Sequence, residues 1–403
     1  MGNIATSGGA GGGTGSDECT AVLAHVLAGE TAVTSDSGDE PRPGTMTVNS
    51  LLSFSCAAYS GRRVLAKWQN PRAAIGKPYS GVYIRYSTGG YPGKTGGTQI
   101  YKGAGNNAAS EGQSQTYLDL PALNTTYYLS IYPYVTCNAG EMTGGVINTS
   151  VKTAAQLILT IKGTQNYTIP IGYSQADIFC VGGGGAGSFG NYDAPNGVGG
   201  GGGGAGYTAT ANNIAISAGQ VLSCMVGAGG EKEYTYIPKP GAASSVSRNG
   251  ITLITANGGG IYSTTSNSNE NTVGGPGGSG GGAGGYKGGS SWIAGYPGGA
   301  DGSNGGQYYF DAGAGQGRTT RAFGEANGTL YAGGGGGGTG SNGAGYGAGG
   351  AGGGGTGGAW FSNGGNASAN TGGGGGGAGG TSNNTTHTSG GNGGSGLILI
   401  RLK

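Results

Sequence analysis

Between residues 51 and 154 apolar and polar side chains alternate in short runs bounded by turn residues, the period-two pattern of strands with one buried face. The runs fall at 51–57, 64–69, 81–87, 98–101, 115–120, 127–134 and 146–151, which predicts an antiparallel sandwich of two sheets. Trp68 stands where a sandwich-core tryptophan is expected. Tyr127, Leu129 and Ile131 share one strand face, which makes Tyr127 a candidate tyrosine corner. Three further apolar runs follow at 157–162, 167–171 and 177–181, the last entering Gly182 directly, and 397–402 closes the chain with another. Apolar strands at both ends of a glycine-rich stretch predict that they pair and enclose it as one unit.

Ahead of these strands, Gly-rich residues 8–15 lead to Ser16, a helix cap, with Asp17 and Glu18 in the first turn. Ala21, Val22, Val26 and Leu27 form an apolar stripe and Gly29 a stop, predicting a helix of about three turns. So short a helix needs a partner, a copy of itself or another protein.

Composition changes the picture after Cys180, where most of the 104 glycines among 403 residues lie. Tracts recur at 199–206, 274–285, 333–338, 349–358 and 372–380. They break any Gly-X-Y period and prolines number only 13, so collagen is excluded. The expectation is a bundle of short polyproline-II-type glycine helices, about 3.1 Å per residue, whose backbone groups must bond to neighbouring helices because none bond internally.

Charge and chemistry narrow the function classes. With 19 basic and 17 acidic residues scattered along the chain, no basic stripe marks a nucleic-acid surface. No apolar stretch reaches about 18 residues and no charged n-region precedes an apolar one, so neither membrane insertion nor export by its own signal is expected. Cys19, Cys56, Cys137, Cys180 and Cys224 form no CxxC pair and sit beside no histidine, which predicts free thiols rather than a metal site. His25 and His387 accompany no nucleophile motif or carboxylate pair, so no catalytic residue and no cofactor is expected.

Aromatics interrupt the glycine tracts in segments that glycine helices cannot absorb. Tyrosine and tryptophan offer large contact area at low entropy cost. The candidate binding residues are Tyr286, Trp292 and Tyr296; Tyr308, Tyr309 and Phe310; and Trp360 with Phe361, each group having polar neighbours. Tyr192, Tyr234, Tyr236, Phe323 and Tyr331 interrupt tracts similarly, and about half of the whole set is expected to cap the bundle.

Several motifs carry a resemblance. Val26-Leu-Ala-Gly-Glu-Thr-Ala followed by Gly44-Thr-Met resembles a short element of phage tail proteins. Trp68-Gln-Asn-Pro71, Gly81-Val-Tyr-Ile-Arg-Tyr86 and Tyr91-Pro92 resemble the fibronectin type III domain of such proteins. Ile178-Phe-Cys-Val-Gly-Gly-Gly-Gly-Ala-Gly187 at entry and Gly393-Gly-Ser-Gly-Leu-Ile-Leu-Ile-Arg401 at exit resemble the framing of polyglycine-sandwich domains in phage tail-fibre adhesins. The resemblance implies an all-β plus non-regular chain: an N-terminal attachment segment with a short helix over 1–48, an immunoglobulin-like (fibronectin type III) sandwich over 49–154, and a polyglycine II bundle closed by flanking strands over 155–403.

It also implies a non-enzymatic tail-fibre or tail-tip adhesin, assembled in the bacterial cytoplasm and carried on the virion. Its partners would be a host cell-surface glycan or protein and, through residues 1–48, other virion proteins. A homotrimer is among the assemblies left open. The competing class is a structural virion decoration or fibre protein without a specific receptor. A third is a non-viral glycine bundle, such as an ice-binding protein or a receptor-kinase ectodomain, against which the phage-like N-terminal element counts.

Overall fold

The computed structural model describes residues 15–72, 79–137, 140–193, 196–232, 237–262, 272–288, 291–292, 294–307, 311–382 and 387–403. The chain divides into two compact units, Met1–Ala155 and Gln156–Lys403. Among the described residues the regular structure is all-β, with a few single 3-10 turns and no α-helix.

The expected N-terminal helix is replaced by two separate 3-10 turns, Ser16–Glu18 and Leu23–His25. Long-range partners take the backbone groups that a helix would use. The Ser16 N–H donates to the Asp39 carboxylate, the Asp39 N–H returns to Ser16 Oγ at 3.2 Å, and the Leu23 N–H donates to Asp36 Oδ1 at 2.9 Å. Strands β1 (Thr31–Ala32) and β2 (Arg42–Pro43) pair antiparallel. The Met46 N–H then donates to the Val26 carbonyl, and the Ala28 N–H to the Met46 carbonyl, both at 2.9 Å. The two halves of the Val26…Gly44-Thr-Met element therefore close on each other. Gly44 fits because a Cβ there would strike the Val26 carbonyl.

Among the described residues eight strands build the rest of the first unit. They are β3 (Ser53–Ser60), β4 (Arg63–Gln69), β5 (Gly81–Ser87), β6 (Thr98–Gly103), β7 (Gln113–Asp119), β8 (Thr126–Cys137), β9 (Gly140–Thr143) and β10 (Ile147–Lys152). One antiparallel sheet has the order β3-β4-β7; the other runs β10-β8-β5-β6, with β9 paired to β8. Period-two alternation turns Val64, Ala66 and Trp68 of β4 and Tyr127, Leu129 and Ile131 of β8 into one shared core with Val82, Ile84 and Leu118. Trp68 is 1% exposed, and its indole N–H donates to Tyr79 Oη at 3.2 Å. The Tyr127 hydroxyl accepts the Ala122 N–H at 2.9 Å, tying the strand to the turn before it.

The second unit has two four-stranded antiparallel sheets. The first, β11 (Leu157–Ile161), β22 (Leu397–Leu402), β13 (Gln175–Val181) and β16 (Thr208–Ala215), is ordered β11-β22-β13-β16. The second joins β12 (Gln165–Thr168), β17 (Val221–Met225), β18 (Ser244–Arg248) and β19 (Ile251–Ala256), in that order. Two short hairpins, β14 (Asn191–Asp193) with β15 (Asn196–Val198) and β20 (Lys287–Gly288) with β21 (Ser291–Trp292), complete the strands. The closing strand β22 lies between both opening strands, Leu159 and Ile178 facing Ile400 from either side.

From this sheet end the glycine tracts run as extended segments bonded only to their neighbours. In 183–188 the N–H donors rotate through three partners. Gly183 and Ala186 bond Ala242 and Lys239, Gly184 and Gly187 bond Gly394 and Gly391, and Gly185 and Ser188 bond Gly204 and Gly201, all at 2.8–3.0 Å. Each partner falls by three residues as the donor rises by three, so these neighbours are antiparallel. Gly374, Gly377 and Gly380 instead bond Gly333, Gly336 and Thr339, a parallel pair.

Two predicted tracts fold back on themselves. The stretch 274–285 turns at Gly277–Ser279, so that Gly281 and Gly284 donate to Gly275 and Thr272. The stretch 349–358 turns at Gly352 and Gly353, with φ of 101° and 98°. Glycine enters positive φ without steric cost, so a tract can reverse without any other residue type.

Candidate functional site

The tracts give the second unit two ends. One carries the sheets. There Phe179, Val181, Leu397 and Leu399 form a core with Ala205, Ala322 and Ala332, and Phe323 and Tyr331 pack against it. The rings of Phe323 and Tyr331 stand 6.0 and 5.8 Å from Phe179, and the Arg401 guanidinium lies 4.0 Å from the Phe323 centroid. These two interrupting aromatics are thus structural caps. Asp177, 4% exposed, accepts the Lys403 ammonium at 2.6 Å and the Asn213 N–H at 2.9 Å. Asp301 at this end is held below the ordinary carboxylate range, first by the Thr319 hydroxyl that donates to it at 2.6 Å.

The opposite end gathers the chain reversals that follow 190, 285, 340 and 380. Val198 and Tyr286 form an antiparallel bridge, directly beside the bond from the Gly199 N–H to the Gly285 carbonyl. The β20–β21 hairpin continues from Tyr286 and sets the backbone of Trp292 opposite Lys287. Trp360 lies against the backbone of Gly197 and Gly380, where an added Cβ at either would meet its ring, and the Phe361 N–H donates to the Gly380 carbonyl at 3.1 Å. Tyr286, Trp292, Trp360 and Phe361 therefore share one end.

Tyr296 stands a little way down the bundle from these, level with Gly347. Its N–H donates to the Ala283 carbonyl and its own carbonyl accepts the Gly337 N–H, which sets it along the flank of the bundle. Tyr308, Tyr309 and Phe310 lie outside the described residues, as do Tyr234 and Tyr236. On either side of 308–310, the Gly306 carbonyl accepts from Ala283, and the Asp311 carbonyl from Gly274.

Phe361 is the most unusual residue at this end. It is 42% exposed and adopts φ 58°, the left-handed region that a side chain with a Cβ occupies only at a cost. Its ring meets Trp360 edge-on, with centroids 5.3 Å apart at 81°. The conformation comes from a turn closed by the Ser362 N–H on the Ala359 carbonyl at 2.8 Å, in which Phe361 takes the place that favours glycine and keeps its ring partly exposed. The Ser389 N–H donates to Asn363 Oδ1 at 2.8 Å, and Ser341 Oγ and Ser389 Oγ are buried without a hydrogen-bond partner among the described residues. Buried hydroxyls without partners lower stability, and both belong to this end.

Two exposed tyrosines near this end were not singled out from the sequence. Tyr346 is 53% exposed, next to Gly345 whose carbonyl accepts from Gly295, and Tyr262 is 40% exposed, its carbonyl accepting from Ser188 Oγ at 3.0 Å. Each is a lone aromatic inside a glycine stretch, the same signal that marked the others. Of the thiols, burial pushes Cys224 up to about 11 and Cys180 higher still, away from the reactive thiolate. Among the described residues no three His, Cys, Asp or Glu side chains are grouped to hold a metal ion.

The fold and the two-ended glycine array define a class, an all-β chain with a glycine-rich unit. The family model for the glycine-rich domain matches residues 159–403, and the chain belongs to that family. No curated protein matches it.

Proposed function

We propose that this chain is a bacteriophage tail-fibre or tail-tip adhesin, without enzymatic activity, that binds a receptor on the host cell surface through the aromatic end of its glycine-rich unit. The observation that carries the reading is Phe361, a strained and exposed aromatic braced by Trp360 at the end remote from the sheets. Binding energy concentrates in a few such anchors. In this reading residues 1–48 attach the protein to other virion components.

Two finer assignments accompany it. The period-three donor rotation, with neighbours in both directions and no bond within a segment, is what threefold polyglycine II helices require. The strand order β3-β4-β7 against β10-β8-β5-β6, with Trp68 in the core and the Tyr127 hydroxyl bonded back to Ala122, supports a fibronectin type III sandwich for the first unit.

The test is adsorption of purified protein to host cells. Phe361→Ala should lower affinity by about 30-fold or more with unchanged thermal melting, whereas Trp360→Ala, whose ring packs on Gly197 and Gly380, should lower both affinity and melting temperature. If every end-loop variant adsorbs like the parent, the glycine unit is scaffold and the chain is a virion decoration.

A further inference from the structure

A second feature of the molecule lies wholly in the first unit, between the two edge strands β6 and β7. A cavity of about 330 Å³ opens there, lined by Tyr101, Gly105, Asn106, Gln115, Thr116 and Tyr117. That volume is at the lower end of the range for small-molecule sites, roughly 300–1,000 Å³. None of the lining residues carries a charge.

The walls are fixed from behind. The Gly105 N–H donates to Tyr101 Oη at 2.9 Å, the Asn107 N–H to Ser114 Oγ at 3.3 Å, and Ser114 Oγ in turn to the Ala104 carbonyl at 2.9 Å. Gly105 has φ 75°, and a Cβ there would run into Ser114 Oγ and the Trp68 ring, so only glycine lets this loop close over the core. Tyr101 stacks obliquely on Trp68, 6.0 Å between centroids.

The opposite wall is braced as well. Tyr117 is 46% exposed, yet its ring is held by Tyr59 at 4.8 Å and by the Arg63 guanidinium at 5.9 Å. Arg63 is itself committed to Asp119 at 2.6 Å. Asn106 Oδ1 accepts the Gln115 N–H at 2.8 Å, which fixes its amide plane. Among the described residues the Asn106 Nδ2, the Gln115 side-chain amide and the Thr116 hydroxyl form no hydrogen bond.

We infer that this cavity is a glycan subsite that takes a neutral pyranose. Two held tyrosine rings offer faces for the C–H surface of a sugar, while amide and hydroxyl groups with unused bonding capacity match its hydroxyls. No lining residue carries a charge; of the nearby cations Arg63 is paired to Asp119 and Lys67, opposite Gln115, is exposed to solvent, so the lining itself favours a neutral sugar over an anionic one. The site is independent of the aromatic end of the second unit.

The test titrates the full chain with methyl β-glucopyranoside, methyl β-galactopyranoside and N-acetylglucosamine, with glucuronate as the charged control, following the Gly105 and Asn106 amides by NMR. At least one neutral sugar should give saturable shifts. Tyr117→Ala and Thr116→Val should each weaken binding about tenfold, while Phe361→Ala leaves it unchanged. The inference fails if no neutral sugar gives saturable shifts, if glucuronate binds as well as the best of them, or if both cavity variants bind like the parent.

Discussion

Gly203 states the rule of the glycine unit in one residue. It is buried, its N–H donates to the Gly375 carbonyl at 2.8 Å, and its carbonyl accepts from Gly335 at 2.9 Å. A Cβ on Gly203 would fall inside the Gly185 carbonyl, closer than any real contact. Gly203→Ala should therefore cost at least about 2 kcal/mol, a fall of roughly 4–8 °C in Tm for a unit of this size. Gly345 is exposed and its Cβ would meet only Ala294 in ordinary contact, so Gly345→Ala should stay within about 0.5 kcal/mol of the parent. Equal melting of the two variants would contradict the packed array. Gly353 is a different case, since its Cβ would meet the Thr371 side chain at a turn, and a substitution there reports on the reversal rather than on the tract.

At the scale of elements, β22 holds the second unit together because it is shared by β11 and β13. Ile400 at its middle is fully buried, and Ile400→Ala should cost about 2–5 kcal/mol. Deleting 397–403 should give insoluble or protease-sensitive protein; a soluble, equally resistant truncation would refute the shared-strand role. This pairing was legible in the sequence, because the apolar run 397–402 had no other apolar surface to join. The strands of the first unit were legible for a related reason: residues such as Val64, Ala66 and Trp68 alternate with polar neighbours. The N-terminal helix was misread because cap and stripe signals are weak beside the long-range bonds that Asp36, Asp39 and Met46 make to that segment. The reversals at Gly277–Ser279 and Gly352–Gly353 were invisible, since glycine turns and glycine tracts use the same residue.

For the whole molecule, the aromatic end was partly legible. Tyr286, Trp360 and Phe361 stood out as interruptions that glycine helices cannot absorb, but Tyr296 looked the same and lies on the flank. Which reversals share an end depends on tract partners more than a hundred positions apart, such as Gly200 with Gly338 and Ala378, and no local pattern encodes that. The central claim is that receptor contact falls at the end remote from the sheets. Hydrogen–deuterium exchange of the full chain, with and without host envelope fragments, measures this most directly. The account predicts added protection in the segments 341–345, 359–363 and 387–389, with none in 317–331 at the sheet end. Protection confined to 317–331, or no change anywhere in residues 156–403 while the protein binds envelope, would contradict it.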